Sequence, residues 1–325
     1  MSKDSEVMLQ VKKLRTYFFR RYKPPIKAVD GVDYEVGRGE TLALVGESGC
    51  GKTVSALSLL RLNPPTSTIV EGQVSWQGRD ILKVPEEEIC RIRGKEIAMI
   101  FQNPLSSLNP LMTIGSQISE TFQTHHDLSS ADCWEESKRM LKLVAVPDIE
   151  SKMAAYPFQL SGGMRQRVMV AMALSCGPEL MIADEPTTAL DVTTQAQILA
   201  LISSANKEAG RATILVTHDL GIVARYADTV NIMYAGHIVE RAPCIDIYNT
   251  PLHPYTEALL KSVPRVDKVD SSELIPIPGY PPMLDRLGPG CPFEPRCTRK
   301  VKKCEEELPQ IEEVSTNRSV ACWQA

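Results

Sequence analysis

At 325 residues the chain exceeds one average domain and falls short of three, which suggests one large domain with an appendage. Its 43% hydrophobic and 23% charged residues are ordinary globular values and exclude a wholly disordered or fibrous protein. A net charge of −4 gives no global basic surface for nucleic acid, and no apolar run approaches the roughly 20 residues that span a bilayer.

In chain order, the opening MSKDSEVMLQ carries charges where a signal peptide needs its apolar stretch. The chain is therefore expected to stay in the cytosol and to meet a membrane only through a partner. Residues 40–45 read as a buried strand, followed by a glycine-rich turn and a helical run over 53–62. From about 105 to 178 there are no β-branched strand runs, so this stretch reads as a helical insertion, clearest at 134–144 and 162–175. Apolar runs at 180–183 and 212–216 read as two more strands, with a helical pattern over 193–208 between them. Strands alternating with helices imply an α/β fold with a largely parallel sheet. Twelve of the 23 prolines lie between Pro243 and Pro309, a density that helices and central strands do not tolerate. The compact part is expected to occupy residues 1–265 and a loop-rich extension residues 266–325.

Gly46, Glu47, Ser48, Gly49, Cys50, Gly51, Lys52 and Thr53 fit G-x-x-x-x-G-K-[ST] between a strand and a helix, the pattern of a phosphate-binding loop. Glycines let the backbone wrap a polyphosphate and aim its N–H groups at the oxygens, helped by the positive end of the next helix. Lys52 is placed to reach the β- and γ-phosphates and the Thr53 hydroxyl to ligate Mg²⁺. Cys50 has Lys52 and a helix N-terminus as neighbours, which would lower its pKa; it is also simply a small residue that fits. At the end of the 180–183 strand stand two acids. Asp184 suits Mg²⁺, and Glu185, pointing elsewhere, suits a general base for an attacking water.

With these elements in place, the sequence resembles the ATPase subunits of ABC transporters, and the likeness runs over nearly the whole chain. The run Leu160-Ser161-Gly162-Gly163-Met164-Arg165-Gln166-Arg167 is similar to the family's signature. In that family Ser161 and the Gly162 and Gly163 amides would bind the γ-phosphate of nucleotide held by the opposite subunit, so ATP binding holds a dimer together. Gln102 matches the Q-loop glutamine that senses Mg²⁺ and faces the membrane subunit. Thr188, Ala189, Leu190 and Asp191 match the D-loop that crosses the dimer interface, and His218 the switch histidine. Phe18 is the candidate for adenine stacking, with Tyr17 and Phe19 as alternatives. Asn103 and Phe158 depart from common family residues without removing a catalytic group. A regulatory relative would lack Glu185, His218 or the signature serine, and soluble relatives acting on DNA or ribosomes carry two cassettes or a long coiled coil.

The tail narrows the likeness. Pro251-Leu252-His253-Pro254-Tyr255-Thr256 and Gly290-Cys291-Pro292-Phe293-Glu294-Pro295-Arg296-Cys297 resemble the C-terminal extension of oligopeptide and dipeptide importer ATPases and argue against an exporter half. The resemblance implies a second ATPase subunit, often a paralogue, two transmembrane permeases and an extracytoplasmic peptide-binding protein, with this chain peripheral on the cytoplasmic side of the membrane. A cargo of nickel chelates or another small solute is the alternative. Cys291, Cys297, Cys304 and Cys322, spaced C-x5-C-x6-C-x17-C, are expected to hold a 4Fe–4S cluster, with zinc as the alternative and free thiols as the third option. Such a metal would staple an extension too loop-rich to bury much core.

Overall fold

The computed structural model describes residues 6–187, 190–262 and 276–325, so the expected boundary at 265/266, and Thr188 and Ala189 of the D-loop, lie outside the described residues. The chain divides into two compact units, one of residues 1–83 and 215–325, the other of residues 84–214.

The first unit opens with β1 (Val7–Arg20) and β2 (Lys23–Gly37), followed by β3 (Thr41–Val45), α1 (Lys52–Leu59), β4 (Thr68–Trp76) and β5 (Arg79–Asp80). Strands β2, β1, β4 and β5 pair antiparallel in that order. This sheet is a finding beyond the sequence reading. β1 carries Lys12, Lys13, Arg15 and Arg20, and its register with both neighbours is broken by irregularities, so no clean period-two pattern marks it.

The second unit runs through α2 (Glu86–Ile92), β6 (Ile97–Ile100), α3 (Pro104–Ser107), α4 (Ile114–His125), α5 (Ser130–Leu143), α6 (Ile149–Met153), α7 (Gly162–Leu174), β7 (Leu180–Asp184) and α8 (Val192–Glu208). β6 and β7 are parallel, and β7 is buried at every residue, which is why it reads as a continuous apolar run. Thr113, Ser129, Ser161 and Asp191 each accept a backbone N–H at the start of a helix, so α4, α5, α7 and α8 begin at side-chain caps. Ile114, Ile118, Leu141, Val168, Val170 and Met181 share one core here.

β8 (Ala212–Thr217) carries the chain across the boundary into α9 (Leu220–Tyr226), β9 (Thr229–Tyr234), β10 (His237–Pro243), α10 (Cys244–Asn249), α11 (Pro254–Lys261), α12 (Lys303–Glu306), β11 (Glu312–Ser315) and β12 (Arg318–Val320). β3 pairs parallel with β9, and β10, β12 and β11 extend the sheet antiparallel. The sheet is thus mixed, with its antiparallel edge supplied by the tail. Phe293 is buried with Val45, Ile232, Tyr234 and Tyr255 in one cluster, so the tail borrows this unit's core instead of building its own.

Candidate functional site

The phosphate loop leaves the buried strand β3 and enters α1, where Gly51 is the N-cap with φ +107°. A Cβ on Gly46 would lie 2.2 Å from the Met233 carbonyl oxygen, and one on Gly51 2.1 Å from that of Ala28. No side chain fits there. Lys52, 5% exposed, donates from Nζ to the carbonyls of Gly46 (2.7 Å) and Glu47 (3.0 Å). The Gly236 N–H donates to the Cys50 carbonyl, and the Glu47 N–H to the Tyr255 hydroxyl at 2.8 Å. Ser48 and Gly49 form the exposed crest. Burial pushes the Cys50 thiol up and outweighs the nearby Lys52 charge, so Cys50 is a packed small residue, not an activated thiol.

Of the three aromatics in β1, Tyr17 is committed elsewhere. Its hydroxyl donates to Asp30 at 2.5 Å and Lys27 sits over its ring, with burial first and Asp30 second raising its pKa to about 12. Phe18 is half-buried and Phe19 exposed. His218 is exposed between β8 and α9, whose first turn is capped by the Asp219 carboxylate.

In the second unit, buried Asp184 closes β7. Glu185 follows with φ +43°, a left-handed conformation that side-chain-bearing residues avoid and that costs on the order of 1 kcal/mol. Two groups from other segments hold this corner. Gln102 Nε2 donates to Glu185 Oε2 at 2.9 Å, and Gln166 Nε2, from α7, donates to the Pro186 carbonyl at 2.5 Å. The structure therefore brings the Q-loop glutamine and the candidate base into contact. The sequence gives Gln166 no separate role; in the structure it is only 2% exposed, in a helix whose residues 168–171 are all buried.

Ser161 caps α7 by accepting the Met164 N–H at 3.3 Å. A Cβ on Gly162 would meet nothing within 4 Å, and one on Gly163 only the Thr194 methyl at 3.1 Å. Asp191 caps α8 by accepting from the Thr194 N–H and hydroxyl, which hold its carboxyl below the usual range. Thr194 thus places the N-terminal turns of α7 and α8 side by side. The two departures also find places: Asn103 accepts the Leu105 N–H as the cap of α3, and exposed Phe158 stacks on Tyr156 at 5.7 Å.

Of the candidate Mg²⁺ donors, Thr53 of the first unit carries a hydroxyl oxygen, and Gln102 and Asp184 of the second carry amide and carboxylate oxygens, each a hard donor of the kind this ion prefers. The tail cysteines do not fit a metal in the same way. Cys291, Cys297, Cys304 and Cys322 line one cavity of about 10 Å³, room for roughly one water. Among the described residues no group of three or more His, Cys, Asp or Glu side chains is placed to hold a metal ion. Burial is the main cause raising the thiols of Cys291 (to about 11), Cys297 and Cys322. The expected 4Fe–4S cluster is overturned, and zinc gains no support. The need for a staple also disappears, because Phe293 and β12 anchor the tail to the core and the sheet.

Comparison with known proteins fits this geometry. Residues 29–188 match the family model for ABC transporters, and residues 239–304 that for the oligopeptide/dipeptide transporter C-terminal region. The chain is 46% identical over 317 residues to the oligopeptide transport ATP-binding protein AppD of Bacillus subtilis, covering 97% of this chain and 96% of AppD. It is 45% identical over 319 residues to OppD of Salmonella typhimurium, covering 98% and 94%. Among solved structures, the dimeric ATP-binding cassette MJ0796 in a post-hydrolysis state with ADP and Pi matches with a TM-score of 0.66 and 26% identity, over 73% of this chain and 99% of that one. No helix among the described residues is long and apolar enough to cross a membrane.

Proposed function

The chain belongs to the ABC transporter ATPase family, in its oligopeptide/dipeptide branch, and from that membership we propose that it is the ATP-hydrolysing subunit that powers peptide uptake through a membrane importer. What carries this reading is a likeness that runs unbroken from the phosphate loop through the C-terminal region, with Lys52, Ser161, Asp184, Glu185 and His218 all present. The nickel-chelate alternative draws no support from relatives named for oligopeptides and dipeptides. Its partners are a second ATPase subunit, two permeases and an extracytoplasmic binding protein, and its place is the cytoplasmic face of the membrane.

Lys52 and the loop N–H groups hold the β- and γ-phosphates, with Phe18 stacked on the adenine. Thr53, Asp184 and Gln102 would hold Mg²⁺, which when bound offsets the phosphate charge. A water attacks the γ-phosphorus, its proton passes to the Glu185 carboxylate, and ADP leaves. Gln102 holds one Glu185 oxygen and so fixes the orientation of the carboxylate that takes the proton. His218 contacts the γ-phosphate. Ser161, Gly162 and Gly163, on an open helix N-terminus, serve the nucleotide of the opposite subunit, and Asp191 belongs to the loop that crosses between them. ATP binding thus closes the dimer and hydrolysis opens it. Reconstituted transporter should take up labelled di- or oligopeptides with ATP consumption, and Lys52→Ala should lose ATP binding. Uptake of a nickel chelate with no peptide uptake would reverse the cargo assignment.

A further inference from the structure

The C-terminal region touches the phosphate loop at Glu47, and it does so from two elements. Tyr255 of α11 accepts the Glu47 N–H at 2.8 Å. Arg296, whose side chain is 4% exposed, clasps the Glu47 carboxylate with both terminal nitrogens, at 2.6 and 3.0 Å, across 249 positions of sequence. Its third nitrogen, Nε, donates to the Pro278 carbonyl at 2.8 Å, and Nη1 also reaches the Tyr234 hydroxyl at 3.2 Å. The rings of Tyr234 and Phe293 lie 5.9 Å from the guanidinium.

We propose that Arg296 is a positioning residue for ATP binding: it fixes the phosphate loop through Glu47 and cancels a negative charge that would otherwise oppose the polyphosphate. The inference rests on the loop being the nucleotide site. A carboxylate at the second position of such a loop works against the binding of a polyanion. A two-pronged pair with a guanidinium removes that opposition and holds the backbone of Glu47 in one place. That backbone matters, because the Glu47 carbonyl is one of the acceptors that hold the Lys52 ammonium, beside the Gly46 carbonyl and the Cys50 sulfur. The tail thereby acts on the cation that reaches the phosphates. Burial works against the Arg296 charge, but the bonds to Glu47 and Tyr234 hold its pKa above the ordinary value. Removing one member of such a pair strands the other.

The test is a double-mutant cycle in the full chain, read by the dissociation constant of radiolabelled ATP and by KM and kcat of the assembled transporter. R296Q should raise the dissociation constant and KM about tenfold, with kcat within about twofold, since the guanidinium touches no reacting atom. In an E47Q background, where no carboxylate remains to be cancelled, the same substitution should cost less than about twofold. R296K keeps the charge without the fork and should show a partial rise of about threefold; it decides the matter if R296Q does not fold. An unchanged KM in both Arg296 variants overturns the proposal. So does an equal penalty in the wild-type and E47Q backgrounds, which is what a merely structural arginine would give. K52A is the control: if it binds ATP normally, the nucleotide-site reading has failed, not the role of Arg296.

Discussion

Two glycine-bearing helix starts, the phosphate loop at α1 and the signature segment at α7, differ sharply in how tightly the fold surrounds them. At the phosphate loop, added Cβ atoms would run into backbone oxygens at 2.2 and 2.1 Å, and Cys50, Glu47 and Lys52 are all tied by hydrogen bonds. At the signature segment Gly162 faces open space and Ser161 serves as the helix cap. A preformed cradle can bind a polyphosphate alone. An open N-terminus of equal charge has nothing to complete it until a second surface arrives. Under the proposed function, the contrast means that one half of the nucleotide site is ready-made and the other is left to assembly.

The comparison breaks first at Gly51. Gly51→Ala puts a Cβ at a left-handed position against the Ala28 carbonyl, and should cost on the order of 3 kcal/mol in stability and abolish ATP binding. Thermal melts and equilibrium binding would check both. Gly162→Ala, by contrast, should leave the melting curve within about 0.5 kcal/mol of wild type, because its Cβ meets nothing. If both substitutions unfold the chain equally, the two helix starts do not differ as described.

Glu185→Gln sharpens the distinction by stopping chemistry after both halves engage. Hydrolysis should fall about 100-fold or more while ATP is retained, and a dimer should persist in size-exclusion chromatography with ATP. Turnover near wild type in the assembled transporter would remove Glu185 from the base role. Smaller again is the effect of Ser161→Ala. It should lower assembled ATPase activity about tenfold and stability by about 1 kcal/mol, with ATP affinity of the isolated subunit unchanged.

The effect confined to acid pH concerns the brace behind the phosphate loop. His253 caps α11, the helix that supplies Tyr255, through Nδ1 accepting the Tyr255 N–H. Burial, with a lesser push from Arg299, lowers its pKa to about 3. An unfolded chain takes up the proton near pH 6.5 that the folded one refuses. Stability is therefore full above that pH and falls as the pH drops, by about 1 to 2 kcal/mol between pH 6.5 and 5. His253→Asn keeps a cap without titrating, so urea melts of this variant should lose that part of the acid sensitivity. Equal slopes in the two proteins would show that His253 contributes none of it.

What the sequence determined by itself is local chemistry and continuous burial. The phosphate loop and the acid pair stand out in the sequence by residue type at fixed short spacing, and the signature run by its likeness to the family's. β3, β7 and β8 were legible because strands buried on both faces are nearly continuous apolar runs. The bulged β1 and the sheet around it were not, since charges and register breaks erase the alternation that marks a strand. Tertiary structure alone decided which side chains meet. Nothing in the neighbourhood of Gln102, Gln166 or Arg296 announces Glu185, Pro186 or Glu47 as its partner, because hydrogen bonds spanning 83, 20 and 249 positions depend on the folded path of the chain. The tail cysteines show the same limit from the other side. Their spacing permits a metal, but ligation depends on distances, and folding placed these thiols around a water-sized cavity, with no metal-holding group of His, Cys, Asp or Glu among the described residues.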